Sequence, residues 1–171
     1  MAENVIDIDV TEVRDRMRKA GEIFDQETFL EVIGMRALAW INENFETDGG
    51  KVGGWQPLSE NTVAQRRKGS SKPLQDTGNL RGSFEYEVSG NQVKVGTSVE
   101  YAKFHEFGTD PYTIDMGNTG VMAFMTTGGV VVVRSVDHPG IPQRRILPND
   151  REGMELAMLI VKAKLEQLRA A

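Results

Sequence analysis

The spacing of apolar residues predicts a long amphipathic helix over residues 26–45. Its apolar positions recur every three or four residues, and Phe29 and Trp40 lie beside the stripe that they form. Such a stripe is usually buried, so we expect this helix to pack on a sheet or on another helix. The stripe consists of Leu30, Ile33, Ala37, Ile41 and Phe45.

A second long helix is predicted at the end of the chain, beginning near Asn149. Asn149 or Asp150 suits the N-cap, because either side chain accepts a hydrogen bond from a free backbone N–H. This helix is apolar on two sides, and such helices are usually covered on both. Either the sheet and the first long helix cover it, or a partner subunit does. The main face is Met154, Ala157, Met158, Val161, Leu165 and Leu168, and the other side is Leu156, Leu159 and Ile160.

A shorter acidic helix is predicted within residues 1–24, with Asp9 as its N-cap. We interpret it either as part of the domain or as a docking arm ahead of an α+β core over residues 25–171. Its apolar positions are Val10, Val13, Met17 and Ala20.

Alternating apolar and polar positions between the helices predict one antiparallel hairpin, and two apolar runs on either side of a glycine turn predict a second. The second hairpin combines "VMAFMT", "TGG" and "VVVVRSV". The whole pattern indicates one α+β domain over residues 1–171: N-terminal helices, a meander of about four strands, and a long C-terminal helix packed on the sheet. The first hairpin comprises Leu80, Phe84, Tyr86 and Val88 in one strand, a turn over 89–91, and Val93 and Val95 in the other.

Two brief helices and three loops complete the prediction. Ser59 is a suitable cap for a polar helix through Arg67, and "EYAKFHEF" is expected to form a helix that ends at Gly108. Glycine, serine and proline concentrate near 47–58, 66–73 and 108–120, which we interpret as mobile loops.

Composition supports a packed domain and removes several kinds of chemistry. The chain has 171 residues, 39% of them hydrophobic, and no cysteine, which excludes disulfides, thiol nucleophiles and zinc–thiolate sites. No stretch of about 18 apolar residues predicts a membrane span. Residues 1–50 carry twelve acids and five bases, whereas residues 64–81 carry five bases and one acid. This asymmetry suits contacts between subunits.

Each of the two histidines is next to an acidic residue in the sequence, which raises the question of an acid/base or metal site. His105 precedes Glu106, and His138 follows Asp137, but the two histidines are 33 residues apart and match no helical zinc motif.

The alternative is packing. The ring of His105 would then lie beside Phe104 and Phe107 and donate to a backbone carbonyl, and His138 would be a turn residue. The packing interpretation predicts no catalytic residue, no metal and no cofactor.

Neither Gly-rich segment matches a phosphate-binding loop, and we interpret their glycines as turn residues. A basic stretch offers possible phosphate or subunit contacts instead. It consists of Arg66, Arg67, Lys68 and Lys72.

Four motifs in a fixed order carry a family resemblance: "GGWQPLSENTVAQRR", "KPLQDTGNLRGSF", "VKVGTSVEYAKFHEFGT" and "HPGIPQRRILP". In that order, after one long helix and before another, they resemble the tailed-phage virion morphogenesis family, the tail-completion proteins of Mu-like and related phages and prophages. The matching residues are Trp55, Pro57, Leu58, Asp76, Thr77, Gly78, Leu80, Arg81, Gly96, Thr97, Tyr101, His105, Phe107, Gly108, Ile141, Pro142 and Arg144.

The chain departs from the family pattern at two places. Arg145 and Ile146 stand where the family has proline and an aromatic residue, and the segment between Gly108 and His138 carries a hairpin of its own.

The resemblance implies a structural role in tail completion, tail termination or head–tail joining at the neck. It further implies a homo-oligomeric ring of six subunits, located in the virion after assembly in the host cytoplasm. Implied partners are other neck, tail-tube and head-connector proteins, and DNA passing through a lumen without sequence specificity; no membrane is implied. Two alternatives stay open: a DNA-binding assembly factor that uses the basic stretch, and a small hydrolase that uses His105, Glu106 and His138.

Overall fold

The computed structural model describes residues 5–9, 11, 15, 26–66, 69–118, 120–126 and 128–170. These residues confirm the α+β class, with helices, then antiparallel hairpins, then a long C-terminal helix. In chain order the elements are β1 (Val5–Asp9), α1 (Gln26–Glu46), α2 (Glu60–Gln65), β2 (Phe84–Ser89), β3 (Gln92–Thr97), α3 (Ala102–Phe107), β4 (Tyr112–Asp115), β5 (Met122–Thr126), β6 (Gly129–Val133), β7 (Ser135–His138) and α4 (Asp150–Ala170).

The main sheet is antiparallel in the order β1-β3-β2, and α1 packs across it. Val93 and Val95 of the central strand are fully buried, as the alternating pattern predicts. The strand prediction is corrected at one end. Leu80 precedes a 3₁₀ turn at Arg81–Ser83, and β2 begins only at Phe84. Leu80 is nevertheless buried in the core, which explains why it fits the apolar pattern.

The structure adds an edge strand, Val5–Asp9, ahead of the helix that was predicted within residues 1–24 with Asp9 as its N-cap. Ile6 and Ile8 alternate with aspartates, and Ile8 pairs with Val93 of β3 and enters the core. The side chain of Asp9 and the four apolar positions of the predicted helix lie outside the described residues, while Thr11 and Asp15 are helical.

Helix α1 confirms the first prediction, and one of its residues allows very close packing on the sheet. Gly34 faces the ring of Tyr86, and a Cβ built on it would lie 2.2 Å from that ring. The hydroxyl of Tyr86 donates to Oε2 of Glu31 at 2.6 Å, which fixes the ring against the helix.

Gly34→Ala is therefore expected to lower the free energy of unfolding by about 1–3 kcal/mol through overpacking, although alanine favours helix. Urea denaturation measures the change. Gly82→Ala is the matched control, because nothing lies within 4 Å of a Cβ at that position. Equal stability of the two variants would refute the close contact.

Helix α4 begins with the predicted cap. The backbone N–H of Glu152 donates to Oδ1 of Asn149 at 2.9 Å, and that of Asn149 donates to Oε2 of Glu152 at 2.8 Å. This reciprocal arrangement is a capping box. One side of α4 packs on α1 and β1, where Gly153 lies against Ile8. The opposite side leaves Met158 and Leu159 exposed.

The second predicted hairpin is present and longer than expected. β5 pairs with β6 as predicted, and β4 pairs with β7 to continue the same ribbon towards the core. We call this ribbon, residues 112–138, the arm. Its strands form sheets separate from β1-β3-β2. None of the described helices is long and apolar enough to cross a membrane.

Candidate functional site

A cleft of about 640 Å³ brings together residues from all four sequence motifs. Loop 56–59 and α2 form one side, the turn before β2 and helix α3 form another, and the segment after β7 closes it. Helix α2 is set in place by Ser59, whose hydroxyl accepts from the backbone N–H of Thr62. The motif residues in the cleft are Pro57, Leu58, Asp76, Thr77, Leu80, Tyr101, His105, Ile141, Pro142 and Arg144.

The segment 141–148, which we call the strap, ties the sides of the cleft together. The backbone N–H of Arg144 donates to the carbonyl of His105 at 2.7 Å. The buried guanidinium of Arg144 donates through Nε and Nη2 to the carbonyl of Gln56, at 3.1 and 3.0 Å. Arg144 therefore joins helix α3 to the loop after Trp55, a structural role for the motif arginine.

Three further motif residues support the turns around the cleft. Gly78 and Gly108 have φ angles of 79° and 73°, in the left-handed region that favours glycine. A side chain at Gly108 would also meet the carbonyl of Ile141 at 3.0 Å. The hydroxyl of Thr77 accepts from the backbone N–H of Asn79 at 3.3 Å, a side-chain-capped turn.

The remaining motif residues lie outside the cleft. Arg81 pairs with Glu46 at 2.7 Å, and the hydroxyl of Thr97 accepts from the backbone N–H of Val99 at 3.1 Å. Gly96 pairs with both neighbouring strands of the main sheet. Phe107 is 66% exposed, so it points away from the packing that surrounds His105.

Trp55 anchors the first motif in the core. Its indole is 7% exposed and meets the ring of Phe45 edge-on, with centroids 5.2 Å apart. Its Nε1 donates to the carbonyl of Arg145 at 2.9 Å. The buried amide of Asn44 donates to the same carbonyl at 3.1 Å. Sequence reasoning missed Asn44, because its partner is 101 residues away.

The two residues that stand where the family has proline and an aromatic residue have clear structural roles. Ile146 is 1% exposed and fills the core from the strap. Arg145 lies over the ring of Trp40, and its Nη2 donates to Oε1 of Glu152 at 2.8 Å. That hydrogen bond lowers the pKa of Glu152 below its usual value, with burial acting in the opposite direction. The arginine thus joins the strap to the start of α4.

Glu106 supports the strap, and the geometry gives it no exposed chemical role. Its Oε2 accepts from the backbone N–H groups of Ile146 at 2.6 Å and Leu147 at 3.2 Å. Burial raises the pKa of the Glu106 carboxyl, while these hydrogen bonds and Arg145 act against the rise. The carboxylate of Glu106, next to His105 in the sequence, therefore accepts hydrogen bonds from the backbone of the strap.

The expected surroundings of His105 are wrong. Its ring packs edge-on against Tyr101, with centroids 6.3 Å apart, whereas Phe104 and Phe107 are exposed. The reason is helical geometry, since residues four apart share a face. The predicted hydrogen bond from the ring to a backbone carbonyl is not made through Nδ1, because this buried atom has no hydrogen-bond partner among the described residues.

His138 also differs from its prediction, because it ends β7 instead of lying in the turn that follows. Its ring stacks on Tyr112 at 4.8 Å, and its Nδ1 accepts from the backbone N–H of Gly140 at 3.1 Å. Both histidines line the cleft. In the part of the chain that the structure describes, no three histidine or acidic side chains are placed to hold a metal ion.

The basic stretch is only partly described. Arg66 lines the cleft and donates through Nη1 to the carbonyl of Lys72, which fixes its guanidinium to its own loop. Arg67 and Lys68 lie outside the described residues. Phosphate contact by these residues stays a prediction.

The cleft predicts that stability depends on pH through His105. Burial lowers the pKa of this histidine below its ordinary 6.5, and the positive charges of Arg144 and Arg66 lower it further. The unfolded chain then binds the proton more tightly, so this contribution is complete above pH 6.5 and is lost as the pH falls towards the folded pKa.

We expect His105→Gln to flatten the dependence of melting temperature on pH between about 5 and 7. Thermal unfolding followed by circular dichroism at half-unit steps measures it. If the melting temperature of His105→Gln depends on pH as that of the wild type does, His105 is not the source of the dependence.

The fold and the cleft define a small α+β protein whose ordered motifs hold a strap across a helix and two loops. A family model described as the phage virion morphogenesis family matches residues 8–166, and the chain belongs to that family. No curated protein and no solved structure matches the chain. Its role therefore lies in the assembly of phage virions.

Proposed function

We propose that the chain is a tail-completion or head–tail joining protein of the virion neck, and that it acts as a homo-oligomeric ring without catalysis. Family membership supports the virion role. The observation that carries the ring is the arm, whose exposed surface is unlike that of a protein that works as a monomer.

The arm presents apolar side chains on both faces of a two-stranded ribbon. Val130 and Val132 are exposed on one face of β6, and Val131 is exposed on the other. Phe124 and Met125 add exposed apolar surface on β5. Contiguous exposed apolar surface of this kind typically marks an interaction site.

The arm also lacks the charges that keep exposed strands soluble. Residues 116–133 contain no charged side chain, in a protein in which 26% of residues are charged. Natural proteins usually protect exposed strands with lysine or other charges. An uncharged ribbon whose described strands β5 and β6 pair only with each other is therefore suited to burial against another chain.

A second exposed apolar surface lies on α4, where Met158 and Leu159 face away from the core. Two different exposed apolar surfaces on one subunit favour head-to-tail contacts between subunits. Such contacts close into a ring when the rotation between neighbours allows it. Such a ring would surround a lumen for DNA and offer its two ends to head-connector and tail-tube proteins. The resemblance supports six subunits.

Mass in solution tests the ring. Sedimentation velocity over a range of concentrations, followed by negative-stain imaging, is expected to give one closed species of about six subunits. A strict monomer at high concentration, also after addition of the purified neck and tail proteins of the same phage, would refute the ring. Binding of the isolated chain to duplex DNA that weakens steeply with salt would instead favour the DNA-binding alternative.

A further inference from the structure

An open apolar surface, which we call the α4 groove, runs along the exposed side of α4. Among the described residues it is lined by α4 alone. Methionines contribute an adaptable apolar surface that fits irregular partners. The apolar lining is Met154, Met158, Leu159, Val161 and Leu165.

The charges at the border of this groove cancel. Glu155 and Glu166 contribute two acids, and Lys162 and Arg169 contribute two bases. A strongly charged partner, such as a polybasic or polyacidic segment, would meet as much repulsion as attraction there. The groove therefore suits an uncharged apolar occupant.

The arm has the properties that this groove requires. It is apolar, uncharged over 116–133, and only one strand pair wide at its end. Its exposed apolar side chains include Phe124, Met125, Val130, Val131 and Val132, which keep 37–64% of their full area. A standard interface takes ~800 Å² from each partner. The cores of such interfaces contain few charged residues and are enriched in methionine and aromatic residues. The arm contributes one of each type, Met125 and Phe124.

We propose that the arm of one subunit docks in the α4 groove of the next subunit. Each subunit then gives its arm to one neighbour and receives the arm of the other, which is a heterologous contact that propagates around a ring. This assignment rests on the proposed ring and names the surfaces that build it. It also explains why α4 is apolar on two sides, since α1 and β1 cover one side and the neighbour's arm covers the other.

Site-directed cross-linking tests the docking. Because the chain has no native cysteine, only the introduced thiols can react. Met125→Cys on the arm and Leu159→Cys in the groove use side chains that are 61% and 63% exposed. A short bismaleimide is added to the full-length protein at a concentration where sedimentation shows the oligomer. The double variant is expected to give a ladder of covalent multimers up to the full ring.

Mixing the two single variants is expected to give covalent dimers only, while each single variant alone gives none. Ser71→Cys combined with Leu159→Cys places the first thiol on an exposed loop and is the matched control. It is expected to give no ladder.

Three outcomes would overturn the docking. An intact ring without arm-to-groove cross-links would leave the proposed function standing but reject these surfaces. Efficient dimers from Met125→Cys alone would indicate arm-to-arm contact. Loss of oligomers in the wild-type chain under every condition would reject the ring itself, together with the docking.

Discussion

Trp55→Ala is expected to lower the free energy of unfolding by about 3–5 kcal/mol, the range for removing a large buried aromatic side chain. The substitution removes the edge-on contact with Phe45 and leaves a cavity between α1 and the strap. It also deprives the carbonyl of Arg145 of the donor Nε1. Since small domains have about 5–15 kcal/mol of stability in total, this one change approaches global unfolding.

Chemical denaturation followed by circular dichroism measures the loss. Trp55→Phe is the control, because it keeps an aromatic ring and removes the indole N–H. We expect it to cost clearly less than alanine. A loss below about 1 kcal/mol for Trp55→Ala would contradict the view that the first motif anchors the fold.

Val130→Glu combined with Val132→Glu is expected to abolish the oligomer without unfolding the subunit. Both side chains are exposed on the same face of the arm, so in the monomer the new carboxylates stay in water. In the assembled state they would have to lose their hydration against an apolar surface, which is strongly unfavourable. We expect at least a hundredfold rise in the concentration needed for assembly, about 2.7 kcal/mol per interface.

Sedimentation velocity gives the oligomer size, and thermal unfolding at a concentration where both proteins are monomeric gives the stability. Ser71→Glu combined with Ser89→Glu adds the same charge at exposed positions off the arm and is expected to assemble normally. If the arm variant assembles as the wild type does, the arm is not part of the subunit interface.

Local patterns predicted the elements whose boundaries depend on neighbouring residues. The stripe of α1, the end of α3 at Gly108 and the Asn149 cap all follow from short-range spacing and backbone geometry. The strand Val5–Asp9 was missed because five residues give too weak a pattern, and its partner lies about 90 residues along the chain. Long-range pairing decided that segment.

The candidate site could be predicted in its members but not in its arrangement. Motif order identified residues that line the cleft, including Arg144 and His105. The roles of Glu106 and Asn44 depend on hydrogen bonds to the strap across 40 to 102 residues, which no spacing rule encodes. The packing of His105 on Tyr101 was likewise decided by which face of α3 meets the cleft.

The strands of the arm could be predicted from the sequence, but their exposure could not. Its strands were predicted from two apolar runs that flank turn glycines, but an apolar strand usually lies in a core. The structure instead leaves both faces of β6 exposed. Because this hairpin is exposed and its residues 116–133 carry no charge, it is the surface on which the proposed assembly depends.

The most direct test of the central claim removes the chain from the phage that encodes it. Virions are produced from a genome with a stop codon early in this gene, with and without the protein supplied from a plasmid. Infectious titre and electron micrographs are the measurements. We predict heads and tails that fail to form complete particles, rescued by the wild-type protein. Infectious virions of normal yield and appearance without the chain would contradict the account.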